Sequence, residues 1–316
     1  MTWWWIFFGV FILSMLALDL GVFNRRTHVV KIKESLLWTA FWITLALLFC
    51  TGVHFFYGHQ KSMEFLAGYL IEYSLSIDNL FVFLLLFRYF QVPHEYEHKA
   101  LFWGILLALI TRGAFIFAGV ALINTFHWII YIFGIFLIFT GVKMALNEET
   151  EVHPDKNVAL KLLHSFVPTK KEFTGAKFFI VEQGKRFATP MLAVMLSLET
   201  TDIIFAIDSI PAVLAISTDP FIVYTSNVFA ILGLRSLFFA ISGLMKMFHH
   251  LHYGLAAILS FVGVKMLIAD LVKIPTGISL GAIAVILSLS VITSFIWPAA
   301  VREVEAVVDV NNEVAE

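Results

Sequence analysis

Four carboxylates sit where carboxylates are rare, inside long apolar runs. Glu72 and Asp78 fall in Glu72-Tyr-Ser-Leu-Ser-Ile-Asp78-Asn79, and Asp202 and Asp208 in Asp202-Ile-Ile-Phe-Ala-Ile-Asp208-Ser209. Each pair is six residues apart and ends Ile-Asp followed by a small polar residue. An acid at the centre of a membrane helix costs about 2.5 to 3.5 kcal/mol, so four together cost roughly 10 to 14 kcal/mol before compensation. That rivals an entire folding stability of about 5 to 15 kcal/mol, so these groups must be protonated, paired or bound to cations. Two arginines, Arg112 and Arg235, lie in the runs that follow, and Glu199 adds a fifth acid. Two positive charges cannot neutralise the set, and the net negative pocket that remains suits a divalent cation. Its expected ligands are Glu72, Asp78, Asn79, Asp202, Asp208 and Ser209, with Ser76, Glu199, Arg112, Arg235 and Asp19 as accessory groups. Carboxylate, amide and hydroxyl oxygens favour Mn²⁺, Mg²⁺ or Ca²⁺, whereas Zn²⁺ and Cu⁺ prefer imidazole or thiolate.

Helical periodicity sorts these residues. At 3.6 residues per turn, Glu72, Ser76 and Asn79 share one face, as do Glu199, Asp202, Ala206 and Ser209, while Asp78 and Asp208 point about a third of a turn away. Pro211 removes a backbone donor and clashes with the carbonyl of Ile207, so unwinding beside Asp208 is the expected means of turning Asp202 and Asp208 onto one ion. For Asp19, two turns before Arg25, two readings stay open: a cap at the end of the first run, or a member of the site. Lys143 and Lys265, near the ends of their runs, are expected to snorkel toward water.

The elements that position these groups are membrane helices. The 316 residues are 60% hydrophobic and 14% charged, with mean hydropathy +0.88, outside the range of soluble domains. Nine apolar runs, at about 3–23, 36–57, 65–89, 100–123, 127–146, 188–216, 221–246, 252–272 and 277–298, are long enough to cross a hydrocarbon core of roughly 30 Å as helices. They lack the alternation of barrel strands. The first lacks a basic flank and a small-residue cleavage site, so it is expected to be retained. With the N-terminus outside, the inner segments carry fifteen Lys and Arg and the outer ones only Lys61 and Lys273, which sets the C-terminus inside. A net charge of −2 excludes a nucleic-acid surface, and the single cysteine, Cys50, excludes disulfide scaffolds and thiolate clusters.

Three features recur in one order along the chain. The acidic pair comes first, then Arg112 in Leu-Ile-Thr-Arg-Gly-Ala-Phe against Arg235 in Leu-Gly-Leu-Arg-Ser-Leu-Phe. The identical tetrapeptide Gly141-Val-Lys143-Met144 and Gly263-Val-Lys265-Met266 comes last. Because equivalent helices are three spans apart along the chain, an odd step, the two units run in opposite directions across the membrane. The expected fold is therefore an all-α polytopic membrane protein of about nine transmembrane helices with an inverted three-plus-three helix repeat, a recurrent transporter design. Its parts are two N-terminal helices (1–63), a first repeat (64–147), a cytoplasmic loop (148–187), a second repeat (188–273), a final helix (274–298) and an acidic cytoplasmic tail (299–316). In the loop, Lys170 and Lys171 are placed to touch anionic headgroups, though a solvated, topology-fixing segment is the plainer reading.

One further motif points elsewhere. His94-Glu95-Tyr96-Glu97-His98 fits H-E-x-x-H, the zinc pattern of metalloproteases, but it follows Pro93 at a span end and has no third ligand nearby. Neither it nor His249, His250 and His252 has a repeat counterpart.

Several stretches carry a family resemblance: Ala17-Leu-Asp19-Leu, Gly68-Tyr-Leu-Ile-Glu72, Asp78-Asn79, Tyr131-Ile-Phe-Gly134, Thr140-Gly-Val-Lys-Met144, Asp202-Ile-Ile-Phe-Ala-Ile-Asp208-Ser-Ile-Pro211-Ala and Thr218-Asp-Pro-Phe221. In these the chain resembles the TerC family of bacterial integral membrane proteins across essentially all its spans. The resemblance implies Mn²⁺ as the transported ion, export as the direction, and carry-over of the acidic motif onto Glu72, Asp78, Asp202 and Asp208. It equally implies a role in supplying metal to exported enzymes, with a link to tellurium resistance. The expected activity is a secondary transporter in the bacterial cytoplasmic membrane, not an enzyme, with a divalent ion and the lipid bilayer as partners and no organic cofactor. The rival is a metal-binding membrane scaffold that delivers ions without transporting them. Partner membrane proteins and a homo-oligomer stay open.

Overall fold

The computed structural model describes residues 2–18, 32–146, 160, 163, 167–170, 172–175, 177–182, 184–242 and 251–296. Among them the chain forms nine helices and one β-hairpin: α1 (Thr2–Leu18), α2 (Ile32–Tyr57), α3 (His59–Tyr89), α4 (His94–Thr125), α5 (Ile129–Leu146), β1 (Phe179–Glu182), β2 (Lys185–Ala188), α6 (Pro190–Leu214), α7 (Pro220–Ser242), α8 (Leu251–Leu267) and α9 (Thr276–Ile296). Seven of these helices, α2 to α7 and α9, are long and apolar enough to cross a membrane, whereas α1 and α8 are apolar but shorter. Large apolar side chains such as Trp3, Leu37, Phe55, Ile110 and Ile135 are exposed on the helices, an outer surface that hydrocarbon solvates and water does not. The expectations for Asp19, Lys171, His249, His250 and the acidic tail lie outside the described residues.

Turn chemistry places the helix ends. A single residue, Gly58, joins α2 to α3 with φ of 88°, a left-handed backbone that glycine adopts without steric cost. Asp219 caps α7, its Oδ1 accepting the backbone N–H of Phe221 at 3.0 Å and of Ile222 at 3.4 Å, and Pro220 follows at the first helical position, where its missing donor costs nothing. Pro190 opens α6 in the same way. Helix α6 is assigned without a break through Pro211 to Leu214, so the unwinding expected beside Asp208 does not occur. Pro211 sits within one turn of the helix end, where its missing N–H removes a single hydrogen bond.

Close helix approaches set the register. In α5 and α8, a Cβ on Gly263 would lie 2.7 Å from the Gly134 carbonyl and 2.8 Å from Ile138, while one on Gly141 would lie 2.7 Å from the Ala256 carbonyl and 2.5 Å from Ser260. Gly134 meets Gly263 and Gly141 meets Ala256, so the two helices are antiparallel. Parallel packing joins α3 to α7, through Gly68 against Ser226 and Gly233 against Tyr73, and α4 to α6, through Gly119 against Leu214. Helices α1 and α2 are held to α3 and α7 by an aromatic cluster in which Phe49 and Phe229 rings lie 4.9 Å apart, with Phe8, Phe65 and Phe221 around them.

Two polar features were not legible in the sequence. At the Gly58 end, Glu64 accepts hydrogen bonds from Ser217 Oγ (2.6 Å), Lys61 Nζ (2.9 Å) and Gln60 Nε2 (3.2 Å), and Gln60 also reaches Thr276 (2.8 Å), tying α3, the α6–α7 connection and α9 together. Between α8 and α9, Asp270 lies against the Tyr131 hydroxyl and 3.4 Å from His127, and these hydrogen bonds, Tyr131 foremost, hold its carboxyl below the ordinary aspartate value.

The α5–α8 seam yields a stability prediction. Gly263→Val is expected to lower stability by about 1–3 kcal/mol, because backbone of the facing helix must move aside. Gly52→Ala, where nothing lies within 4 Å of the new Cβ, is expected to be neutral or slightly stabilising. Thermal unfolding of the two variants in the same detergent makes the comparison.

Candidate functional site

Helices α3, α4 and α6 meet around Arg112, which is 1% exposed and among the largest fully buried side chains. Its Nε and Nη2 donate to the two oxygens of Asp202, at 3.0 and 2.7 Å, the parallel fork that makes arginine–carboxylate pairs strong and directional. Its Nη1 contacts Glu72 Oε1 and reaches Ser209 Oγ at 3.4 Å. Glu72, fully buried, also accepts the Ser76 hydroxyl at 3.2 Å. One guanidinium from α4 thus gathers a carboxylate from α3 with a carboxylate and a hydroxyl from α6.

The helix faces deduced from periodicity hold. Glu72, Ser76 and Asn79 are buried, as are Glu199, Asp202, Ala206 and Ser209. Asp208 turns away from the arginine toward α5, where Thr140 Oγ1 donates to its Oδ1 at 3.3 Å and Lys143, one turn on, attracts it electrostatically. The structure therefore brings Glu72 and Asp202 together and sets Asp208 apart, because a continuous helix fixes the angle between residues six apart. Asp78 and Arg235 lie in α3 and α7, and their side chains lie outside the described residues. Thr140 was not singled out from sequence, although it stands immediately before the repeated Gly-Val-Lys-Met.

Glu199, one turn before Asp202, is 9% exposed, and among the described residues neither of its oxygens has a hydrogen-bond partner; Glu72 Oε2 is likewise unpartnered. The Thr111 hydroxyl faces Glu199 but donates to the Leu107 and Ala108 carbonyls. Glu199 and Asp202 line a cavity of about 30 Å³ walled by Phe83, Ile105, Ala108, Ile231 and Leu234, enough for a water molecule, which needs about 10–15 Å³. Among the described residues one guanidinium faces three carboxylates. No group of three or more His, Cys, Asp or Glu among them is arranged to hold a metal ion.

The H-E-x-x-H histidines do not converge. His94 Nδ1 lies 2.9 Å from Glu97 Oε1, whereas the His98 ring stacks on Phe239 at 5.8 Å. His252 contacts the Met144 carbonyl. Lys143 is exposed, and Lys265 is half-buried with Glu64 as its electrostatic partner.

A multi-helix membrane bundle with a buried, oxygen-rich ionic centre defines a class, and comparison with known proteins supplies the family. The profile of the Integral membrane protein TerC family matches residues 57–303, and the chain belongs to that family. It is 51% identical over 292 residues to a Myxococcus xanthus protein named "Uncharacterized membrane protein STKORF319", covering 92% of each chain. It is 43% identical over 297 residues to an Escherichia coli K12 protein named "Putative membrane-bound redox modulator Alx", covering 91% of this chain and 92% of that one. The Photorhabdus laumondii protein of the same name is 42% identical over 302 residues, 93% and 94% of the two chains. No solved structure matches.

Removing Arg112 leaves Glu72 and Asp202 buried without a counter-charge. Arg112→Gln is expected to cost about 3–5 kcal/mol, and the double variant Glu72→Gln/Arg112→Gln to recover part of that loss. Unfolding midpoints in detergent around this double-mutant cycle measure the coupling.

Proposed function

We propose that this chain is a secondary transporter that moves a divalent metal ion, manganese in the first instance, out across the bacterial cytoplasmic membrane, with the N-terminus outside and the C-terminus inside. One observation carries the reading: a single buried guanidinium is shared by Glu72 and Asp202, equivalent acids of the two sequence repeats, while Glu199 beside them has no partner among the described residues. Carboxylate and hydroxyl oxygens converging on one cation form a donor set that a hard divalent ion also takes. In this reading Arg112 neutralises the centre while it is empty, the ion arrives through the cavity at Glu199, and the carboxylates exchange arginine for metal. Asp208, with Thr140, and Asp78 are assigned to later stations on the path.

The packing supports an inverted repeat. Exchanging equivalent residues of the units turns the Gly134–Gly263 contact into Ala256–Gly141 and the Gly263–Ile138 contact into Gly141–Ser260, and all four are close approaches. An antiparallel pair with that symmetry has its two-fold axis perpendicular to both helices, which for two spanning helices lies in the membrane plane. At the level of whole helices, the same exchange turns the α3–α7 pair into the α4–α6 pair. Rocking one unit against the other would pull on the shared arginine from both sides.

The rival reading, a scaffold that binds metal and hands it on, is favoured by the small size of the cavity, about 30 Å³. The name of the Alx relatives raises a redox role. This chain's one cysteine, Cys50, lies with Sγ 3.4 Å from the Ser62 carbonyl and cannot form an internal dithiol couple, so redox effects would act through metal supply.

Purified protein in proteoliposomes is expected to show Mn²⁺ flux that Asp202→Asn lowers by about tenfold or more, the equivalent of about 1.4 kcal/mol. Asp78→Asn and Asp208→Asn are expected to do the same with the protein still inserted. Metal binding without flux in the wild type would favour the scaffold, and unchanged flux in a variant would remove that carboxylate from the path.

A further inference from the structure

The β1–β2 hairpin stands apart from the ionic centre and has chemistry of its own. Its register pairs Phe179 with Ala188, Ile180 with Phe187, Val181 with Arg186 and Glu182 with Lys185. Cross-strand partners share a face. Ile180 and Phe187 turn inward, whereas Phe179 and Val181, 52% and 65% exposed, share the other face with Arg186, and Lys177 and Lys185 are exposed toward the two ends of the hairpin. Exposed aromatic and β-branched side chains on a two-stranded ribbon are a liability in water. Ringed by cations, they suit a different solvent.

The depth of the hairpin identifies that solvent. Only Thr189 separates β2 from α6, and its backbone N–H bonds to the Phe178 carbonyl at 3.0 Å. The Phe178 ring meets Trp103 edge-on at 6.0 Å, with Lys99 Nζ 5.6 Å from its centre, and Phe173 lies 6.2 Å from Tyr96. Helix α4 has 32 residues, about 48 Å at 1.5 Å per residue, so it overshoots a core of about 30 Å by roughly six residues at each end. Residues 94–99 therefore lie among headgroups and Trp103 just below them, at the level where aromatic side chains concentrate. The hairpin is fastened to that stretch.

We propose that the β1–β2 hairpin is an interfacial anchor that binds anionic phospholipid headgroups through Lys177, Lys185 and Arg186 while Phe179 and Val181 enter the boundary of the acyl region. Apolar residues flanked by basic ones are the pattern that seats a segment in a negatively charged interface. Glu182 opposes the attraction least, because Lys170 is its partner. Charge complementarity and depth both select lipid over a second copy of the chain, whose equivalent surface carries the same sign. The proposal is independent of what the bundle transports.

Cys50 is the only cysteine of this chain, so Cys50→Ser/Val181→Cys accepts one environment-sensitive fluorophore in the otherwise intact protein. The full chain is reconstituted in phosphatidylcholine vesicles with and without phosphatidylglycerol. The expected result is blue-shifted emission quenched by nitroxide-labelled lipid, with quenching about twofold stronger in the anionic vesicles. Lys177→Gln/Lys185→Gln/Arg186→Gln should remove that difference while leaving the unfolding midpoint in detergent unchanged. Water-like emission quenched by iodide would overturn the proposal. So would a shielded label that lipid nitroxides do not quench, which marks a protein occupant, or equal quenching in the two lipids.

Discussion

An arginine buried with two carboxylates in a low-dielectric interior is the interaction around which this bundle is organised. Burying the three charges separately would be prohibitive, so each is admitted only because the others are in place. Arg112 spans α3, α4 and α6 with one side chain, and those helices must keep their relative height for the fork on Asp202 and the contact with Glu72 to coexist. Small residues permit that height: Gly119 lets Leu214 of α6 approach α4, and Gly68 lets Ser226 of α7 approach α3.

The centre is also imbalanced. Among the described residues a single positive charge answers Glu72, Asp202 and Glu199, and neither oxygen of Glu199, a residue that lines the cavity, has a hydrogen-bond partner. A purely structural ion pair has no use for the third acid, since an unpartnered buried carboxyl costs stability. Among the described residues the surplus negative charge is uncompensated, and the centre lies where helices of both sequence repeats touch. The Glu64 network, by contrast, is hydrogen-bonded throughout as it ties together α3, the α6–α7 connection and α9.

The chain belongs to the TerC family and is 42–43% identical to proteins named "Putative membrane-bound redox modulator Alx". With a single cysteine, Cys50, it has no internal dithiol couple. Its buried centre is built instead of carboxylate and hydroxyl oxygens held by one arginine.

Composition and periodicity alone determined the class of protein, the positions of its helices, the repeat and the buried faces around Glu72 and Asp202. These follow from local rules: a bilayer demands long apolar helices, and 3.6 residues per turn decides which side chains align. What only the tertiary structure decided was who meets whom. Arg112 takes acids from both repeats, Asp208 turns to Thr140 instead of joining Asp202, and α6 stays helical through Pro211. A hairpin also occupies a loop read as a solvated, topology-fixing segment, and Glu64 and Gln60 take hydrogen bonds with Ser217 and Thr276, each more than 150 positions away. Each depends on helix register and inter-helix distance, set by close packing at glycines such as Gly134 and Gly263, and no one-dimensional pattern carries that information.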